Sequence, residues 1–192
     1  MNTLPASLQK LGKPHRLNSH DRLFSAGETP KYLFYLIKGG IKLTRCSEGG
    51  GECTLQFIQQ GFLAEASLFI DHYHCDAIAT ETSEVLACPI DLVMRELDVP
   101  EFRNTWIQLL SAEVRRLRSQ VERLSLKTAK ERVIHYILTE GQNRAIQLEV
   151  SKKRWAVELG LTHEALYRTL RDMVEDKSLV IEGKTYRLLS TC

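Results

Sequence analysis

Two textures divide the chain. As far as about residue 98, apolar residues come in short runs closed by turn residues. From Pro100 onward they recur at helical spacing with charges between them. Tyr32-Leu33-Phe34-Tyr35-Leu36-Ile37 is an apolar run of strand length, closed by Gly39-Gly40. Ile41-Lys42-Leu43-Thr44-Arg45 alternates with period 2, as a half-buried strand does. Gly49-Gly50-Gly51 is a turn, the pattern resumes from Cys53 to Ile58, and Gly61 marks another turn. Residues 75–80 and 85–90 look like two more strands, the second stopped near Pro89. Many short strands with regular turns predict a small β-sandwich or barrel.

The second texture opens with a heptad. Ile107, Val114 and Val121 fall seven apart, and Leu110, Leu117 and Leu124 fill the second apolar position. β-Branched residues at the first position with Leu at the other favour a parallel two-stranded coiled coil. The alternative is one amphipathic helix packed on its own domain, but such a helix shows a broader apolar stripe than this narrow seam. A further helical pattern beyond Lys127 runs through Val133, Ile134, Ile137 and Leu138 to Gly141, followed by a strand candidate at 146–150.

Residues 151–173 carry the candidate chemistry. Ser151 suits an N-cap, Trp155, Ala156 and Leu159 form an inner face, and Gly160 stands where the helix must end and turn. Thr162 caps a second helix with Ala165, Leu166, Thr169, Leu170 and Met173 available to a core. That is a helix–turn–helix signature. The outward side of the second helix presents His163, Glu164, Tyr167, Arg168 and Arg171. In such motifs its N-terminal part enters the major groove, where Arg168 can grip guanine O6 and N7 and Glu164 can accept from a cytosine amino group. The plainer alternative is an exposed i,i+4 Glu–Arg pair. Lys152, Lys153, Arg154, Thr162 and Arg171 are expected at phosphates, which position a protein without choosing sequence. A solvated basic face would look the same. The terminal hairpin, residues 179–189 turning at Glu182-Gly183-Lys184, would be a wing carrying Lys184 and Arg187.

Charge sharpens this division. Residues 1–98 hold 9 Lys/Arg against 12 Asp/Glu, and residues 99–192 hold 17 against 12. The basic excess lies in the half with the helix–turn–helix, where phosphate polyanions would be met. Five cysteines (Cys46, Cys53, Cys75, Cys88 and Cys192) at irregular spacing predict reduced thiols rather than a disulfide framework. No apolar run approaches the ~20 residues of a membrane span, and the start of the chain lacks a secretory pattern. A cytoplasmic location without a membrane partner is expected.

In this order of parts the chain resembles the cyclic-AMP receptor protein/fumarate-nitrate regulator (CRP/FNR) family over nearly its full length. The residues carrying the resemblance are Tyr35-Leu36-Ile37-Lys38-Gly39, the run from Gly61 to Phe69, and Leu159-Gly160-Leu161-Thr162-His163-Glu164 with Arg168. It implies an α+β protein: an N-terminal β jelly-roll sensor domain at 1–98, a long dimerisation helix at 99–126, and a C-terminal winged helix-turn-helix at 127–192. It further implies a homodimer on a palindromic double-stranded DNA site, with RNA polymerase as another partner. His163, Glu164, Tyr167 and Arg168 would read bases; Tyr167 stands where relatives often carry serine. Ile107, Leu110, Val114, Leu117, Val121 and Leu124 would form the dimer seam. Glu65, Ala66, Cys75 and Asp76 would line an effector pocket.

The departures bear on the effector. In cyclic-AMP binders of this family an Arg-Ser pair grips the cyclic phosphate; here Cys75-Asp76 takes that place, and Ala64 replaces a loop glycine. A carboxylate there repels a phosphate, and no Arg lies nearby to compensate. Cyclic AMP is therefore not expected as effector. The cysteine cluster of the iron–sulfur branch is absent. No cofactor or metal is expected; the alternative is haem or a metal at His72, His74 and Cys75. Adjacent Asp76 should raise the Cys75 pKa and blunt any redox role. Two other classes compete with a regulator. An enzyme would have to use His72, His74, Cys75 and Glu65, which supply no base–orienter pair. A ligand-binding module would leave the Glu164/Arg168 face unexplained.

Overall fold

The computed structural model describes residue 4, residues 6–46 and residues 49–189. Cys192 lies outside the described residues. The chain divides into two compact units, 1–109 and 110–192. The boundary falls inside one long helix, Pro100–Ser125.

The first unit begins with α1 (Ala6–Leu11), followed by eight strands: β1 (Lys13–Leu17), β2 (Arg22–Phe24), β3 (Tyr32–Lys38), β4 (Ile41–Cys46), β5 (Glu52–Ile58), β6 (Gly61–Leu63), β7 (Asp76–Ala79) and β8 (Ser83–Pro89). They form two four-stranded antiparallel sheets, ordered β1-β8-β3-β6 and β2-β7-β4-β5. This is the jelly-roll arrangement the resemblance implied. Phe34, Leu36, Ile41, Leu43, Ala77, Ala79, Val85 and Ala87 fill the space between the sheets.

The first sheet is buried on its outer face as well. Leu33, Tyr35, Leu86 and Cys88 point to a second core with Leu8, Val93 of α2 (Ile90–Leu97), and Phe102 and Trp106 of α3 (Pro100–Ser125). β3 is therefore apolar at successive positions, whereas β4, in the other sheet, alternates until its register shifts between Leu43 and Thr44. The turn after β3 needs its glycine. Gly39 has φ +100, and a Cβ there would lie 2.3 Å from Ser83 Oγ. That buried hydroxyl accepts from the Gly40 N–H at 3.1 Å and donates to the Glu81 carbonyl at 2.8 Å.

The second unit holds the remainder of α3, then α4 (Ala129–Glu140), β9 (Ala145–Gln147), α5 (Lys152–Glu158), α6 (His163–Glu175), β10 (Leu179–Glu182) and β11 (Thr185–Leu188). A sheet ordered β10-β11-β9 backs the helices. Val133, Ile137, Trp155, Leu159, Leu166, Leu170, Met173 and Tyr186 make its core. Thr128 starts α4 with a capping box: its hydroxyl accepts from the Glu131 N–H, and the Glu131 carboxylate accepts from the Thr128 N–H.

All six heptad residues are exposed in the single chain, from 37% for Leu110 to 68% for Val121. The opposite side of α3 is engaged within the second unit. Arg123, 3% exposed, donates to Glu140 at 2.6 Å and to Thr139 at 3.2 Å, and its guanidinium sits 4.5 Å from the Tyr136 ring centre. Among the described residues no helix is long and apolar enough to cross a membrane.

Candidate nucleic-acid interface

The site is built from α5, the turn after it, and the start of α6. Ser151 caps α5 by accepting from the Arg154 N–H at 3.2 Å, and Thr162 caps α6 by accepting from the Ala165 N–H at 3.1 Å. Between them Gly160 takes φ +61. A Cβ at that position would come 2.6 Å from Leu124 Cδ2, the end of a side chain that can shift, so it is the left-handed backbone that requires glycine. Trp155, Ala156 and Leu159 on α5, and Leu166, Leu170 and Met173 on α6, are buried as the spacing predicts, with Ala165 and Thr169 half-buried.

The other side of α6 is solvent-facing. His163, Glu164, Tyr167, Arg168 and Arg171 are all exposed. Among the described residues Arg168 makes no hydrogen bond, ion pair or ring contact, so the i,i+4 bond with Glu164 that the spacing allows is not made. Glu164 is occupied locally. Its own backbone N–H, the Thr162 hydroxyl and the neighbouring His163 hold its carboxyl below the usual range. It stands ionised at the helix N-terminus, an acceptor for an amino group.

Tyr167 is the centre of a small stack. The His163 ring lies 4.4 Å from it, and Lys152 Nζ lies 4.8 Å from its ring centre. Lys152 thus reaches from the start of α5 to the second turn of α6. Lys153 is exposed, and Arg171 lies 3.9 Å from both Asp172 and Glu175 with its side chain open to solvent. Arg154 differs from the other expected phosphate contacts. Its Nε donates to Glu158 at 3.1 Å, and Glu158 also accepts from the Tyr136 hydroxyl at 2.8 Å. It is half-buried and engaged in holding α5 to α4. On the hairpin, Lys184 Nζ is 3.7 Å from Glu149, while Arg187 is exposed.

The expected effector residues lie in the first unit around a short 3-10 turn, Glu65–Ser67, and the start of β7. Ala64, which precedes the turn, has φ +68, a left-handed backbone that a glycine would adopt without strain. Ala66 is exposed and Cys75 is buried. Burial, with the charges of Asp76 and Glu65, pushes the Cys75 thiol up to about 11. A neutral, enclosed thiol makes a poor nucleophile.

The absence of a compensating arginine is corrected by the structure. Arg22 Nη1 lies 3.7 Å from Asp76 Oδ1, which also accepts from the Ala26 N–H at 2.8 Å, and Arg45 offsets part of the charge acting on Cys75. These cations come from β2 and β4, remote in sequence, which is why adjacency along the chain could not show them. A cavity of about 400 Å³ lies elsewhere in this unit, lined by Phe24, Lys31, Tyr32, Phe34 and Tyr73 among others, and by none of the four expected residues. Among the described residues no group of three or more His, Cys, Asp or Glu could hold a metal ion.

Sequence reasoning missed Arg123, Arg132, Tyr136 and Glu158, which brace the helix–turn–helix from behind. Tyr136 and Glu158 sit on ordinary amphipathic stretches with no local mark. Among the described residues Arg132 is bonded only to backbone carbonyls, which leave no trace in side-chain identity.

Residues 14–98 match the family model of the cyclic nucleotide-binding domain. Over 202 aligned residues the chain is 23% identical to the global nitrogen regulator of Synechococcus elongatus, covering 95% of this chain and 91% of that protein. It is 25% identical to the transcriptional activator protein FnrA of Stutzerimonas stutzeri, covering 95% of this chain and 78% of that one. In fold it is similar to the c-di-GMP responsive global regulator CLP of Xanthomonas campestris, with a TM-score of 0.67 and 21% identity over 95% of this chain and 96% of that one.

Proposed function

We infer, from a chain of CRP/FNR type in sequence and fold, a sequence-specific DNA-binding transcription regulator that acts as a homodimer on a palindromic site. The observation that carries this reading is the polar side of α6, where Arg168 stands exposed beside an ionised Glu164, on a helix whose other side is locked into the core. Ionised and outward-facing, the two side chains suit guanine and cytosine edges in the major groove. Lys152, Lys153 and Arg171 flank them for phosphate contact; Thr162 and Arg154 keep their first duty to α6 and α5.

The exposed heptad supports the dimer. Six large aliphatic side chains in one seam make a costly surface for a lone helix and a good one for a paired helix. Pairing there sets two recognition helices about 34 Å apart, one turn of DNA. RNA polymerase is the further partner such a regulator would address, and its place of work is the cytoplasm. Cyclic AMP is left out of the proposal because Asp76 takes the phosphate-gripping place and already faces Arg22.

The test is enrichment of bound duplexes from a random pool by the purified full chain. A two-fold symmetric motif with half-sites one helical turn apart is expected. A pool that shows no enrichment would overturn the reading.

A further inference from the structure

Two helix ends in the second unit converge on one side chain. Arg132 lies at the fourth position of α4, near a helix start, where a cation is electrostatically disfavoured. Its partners account for the placement. Nη2 donates to the Leu124 carbonyl at 3.2 Å and Nε to the Leu126 carbonyl at 3.1 Å, both at the C-terminal end of α3. Nη1 donates to the Leu159 carbonyl at 3.2 Å and the Gly160 carbonyl at 3.1 Å, at the end of α5. Carbonyls at helix C-termini lack intrahelical donors and carry the negative end of the helix dipole, so one guanidinium satisfies both ends at once.

This contact joins two parts that the proposed function uses separately. Leu124 is the last residue of the heptad seam. Gly160 is the turn residue two positions before Thr162, the cap of the recognition helix. The Leu124 side chain also packs where a Cβ on Gly160 would sit. From seam to recognition helix the path is Leu124, Arg132, Gly160 and Thr162. Only a planar fork with several fixed donors can bridge four carbonyls; an ammonium on a flexible stem cannot hold the same geometry.

We propose that Arg132 is a positioning residue that sets the distance between the dimer seam and the recognition helix, and thereby the half-site spacing the protein accepts. The assignment rests on the DNA-reading function proposed above. Arg132 touches no base or phosphate in this scheme, so its loss should leave the half-site motif intact and relax the spacer.

The experiment compares the full-length wild type with Arg132→Lys on duplexes that carry the selected half-sites at the preferred spacing or with one base pair added or removed. Sedimentation and circular dichroism verify that the variant remains a folded dimer. The expected result is an unchanged half-site motif with spacer discrimination reduced about tenfold, the change expected for losing a hydrogen bond made by a charged donor. A folded, dimeric Arg132→Lys with the wild-type spacer profile would overturn the assignment while leaving the DNA reading standing. A wild type that selects no two-fold site overturns both. Should Arg132→Lys fail to fold, Arg132→Gln keeps an amide donor on a shorter stem at the same junction while removing the guanidinium fork. Its spacer profile then decides by the same criterion.

Discussion

Lys152 Nζ stands 4.8 Å from the centre of the Tyr167 ring, joining the first residue of α5 to the second turn of α6. The ring thereby serves as a platform that holds an ammonium beside the first turns of α6. An exposed cation–π contact is worth about 0.5–1 kcal/mol, or roughly two- to fivefold in affinity if its only role is to pre-order the lysine. Tyr167→Phe keeps the ring face and drops the hydroxyl; it should bind the selected duplex within about twofold of wild type, below the smallest such effect. Tyr167→Ala should weaken binding by the full two- to fivefold. Fluorescence anisotropy with labelled duplexes measures both. A phenylalanine variant as weak as the alanine variant would move the role from the ring to its hydroxyl.

Arg168, proposed to read a base, has no internal duty to lose among the described residues. Removing it should leave folding untouched and act on sequence choice alone. One good bidentate contact to guanine discriminates by about 1–3 kcal/mol. We expect Arg168→Ala to melt as wild type does, to accept any base at one G·C position of each half-site, and to keep its preference at the other positions. Selection from a random pool shows this directly; unchanged preference at every position would remove Arg168 from the interface.

Both successes and failures of the sequence reading have physical reasons. The helix–turn–helix was legible because its punctuation is local: Ser151 and Thr162 cap through their own side chains, and Gly160 turns the backbone itself. The strands β3 and β4 were legible from apolar pattern. Gly61 was read as a turn, yet it opens β6 with φ +114 and pairs with Leu36. The short β1 and β2 were missed because Lys13 to Arg16 are all exposed and β2 spans three residues, leaving little alternation to detect. α1 and α2 were missed for a related reason: they are short, and they cover the outer face of a sheet whose double burial no single strand announces. Around Asp76 the error was one of reach, since Arg22 arrives from fifty-odd residues away only when β2 pairs with β7.

Acid stability should report a contact that has nothing to do with DNA. Asp176 accepts from Lys130 Nζ and from the Ser178 N–H at 2.9 Å, linking the end of α6 to the start of α4. Hydrogen bonding to Lys130 and Ser178 lowers its pKa from 3.8 to about 2. A depressed folded-state pKa means the carboxylate contributes stability above the unfolded value, and that contribution fades as pH falls from about 4 to about 2. Asp176→Asn should therefore narrow the stability gap to wild type progressively across that window while remaining less stable at pH 7. Denaturant melts at several pH values test this. A gap that is constant from pH 7 to pH 2 would show that the carboxylate's charge plays no part.

The proposed dimer seam makes the sharpest separation between folding and function. Val121 is 68% exposed in the single chain, the most of the six heptad residues, so a charge at this position meets no internal neighbour it must displace. Within a paired helix the same charge would sit in a desolvated seam opposite its own copy, where burial of an unpaired ion costs several kcal/mol per charge. Val121→Glu should therefore keep the wild-type helical signal by circular dichroism and sediment as a monomer at concentrations where the wild type is a dimer. Such a monomer holds one recognition helix, so it should bind a single half-site and the full palindrome about equally per site, having lost the gain from linked binding. If Val121→Glu instead loses its fold, the seam belongs to the protomer's own core. If it stays dimeric, the partner surface lies elsewhere on the molecule.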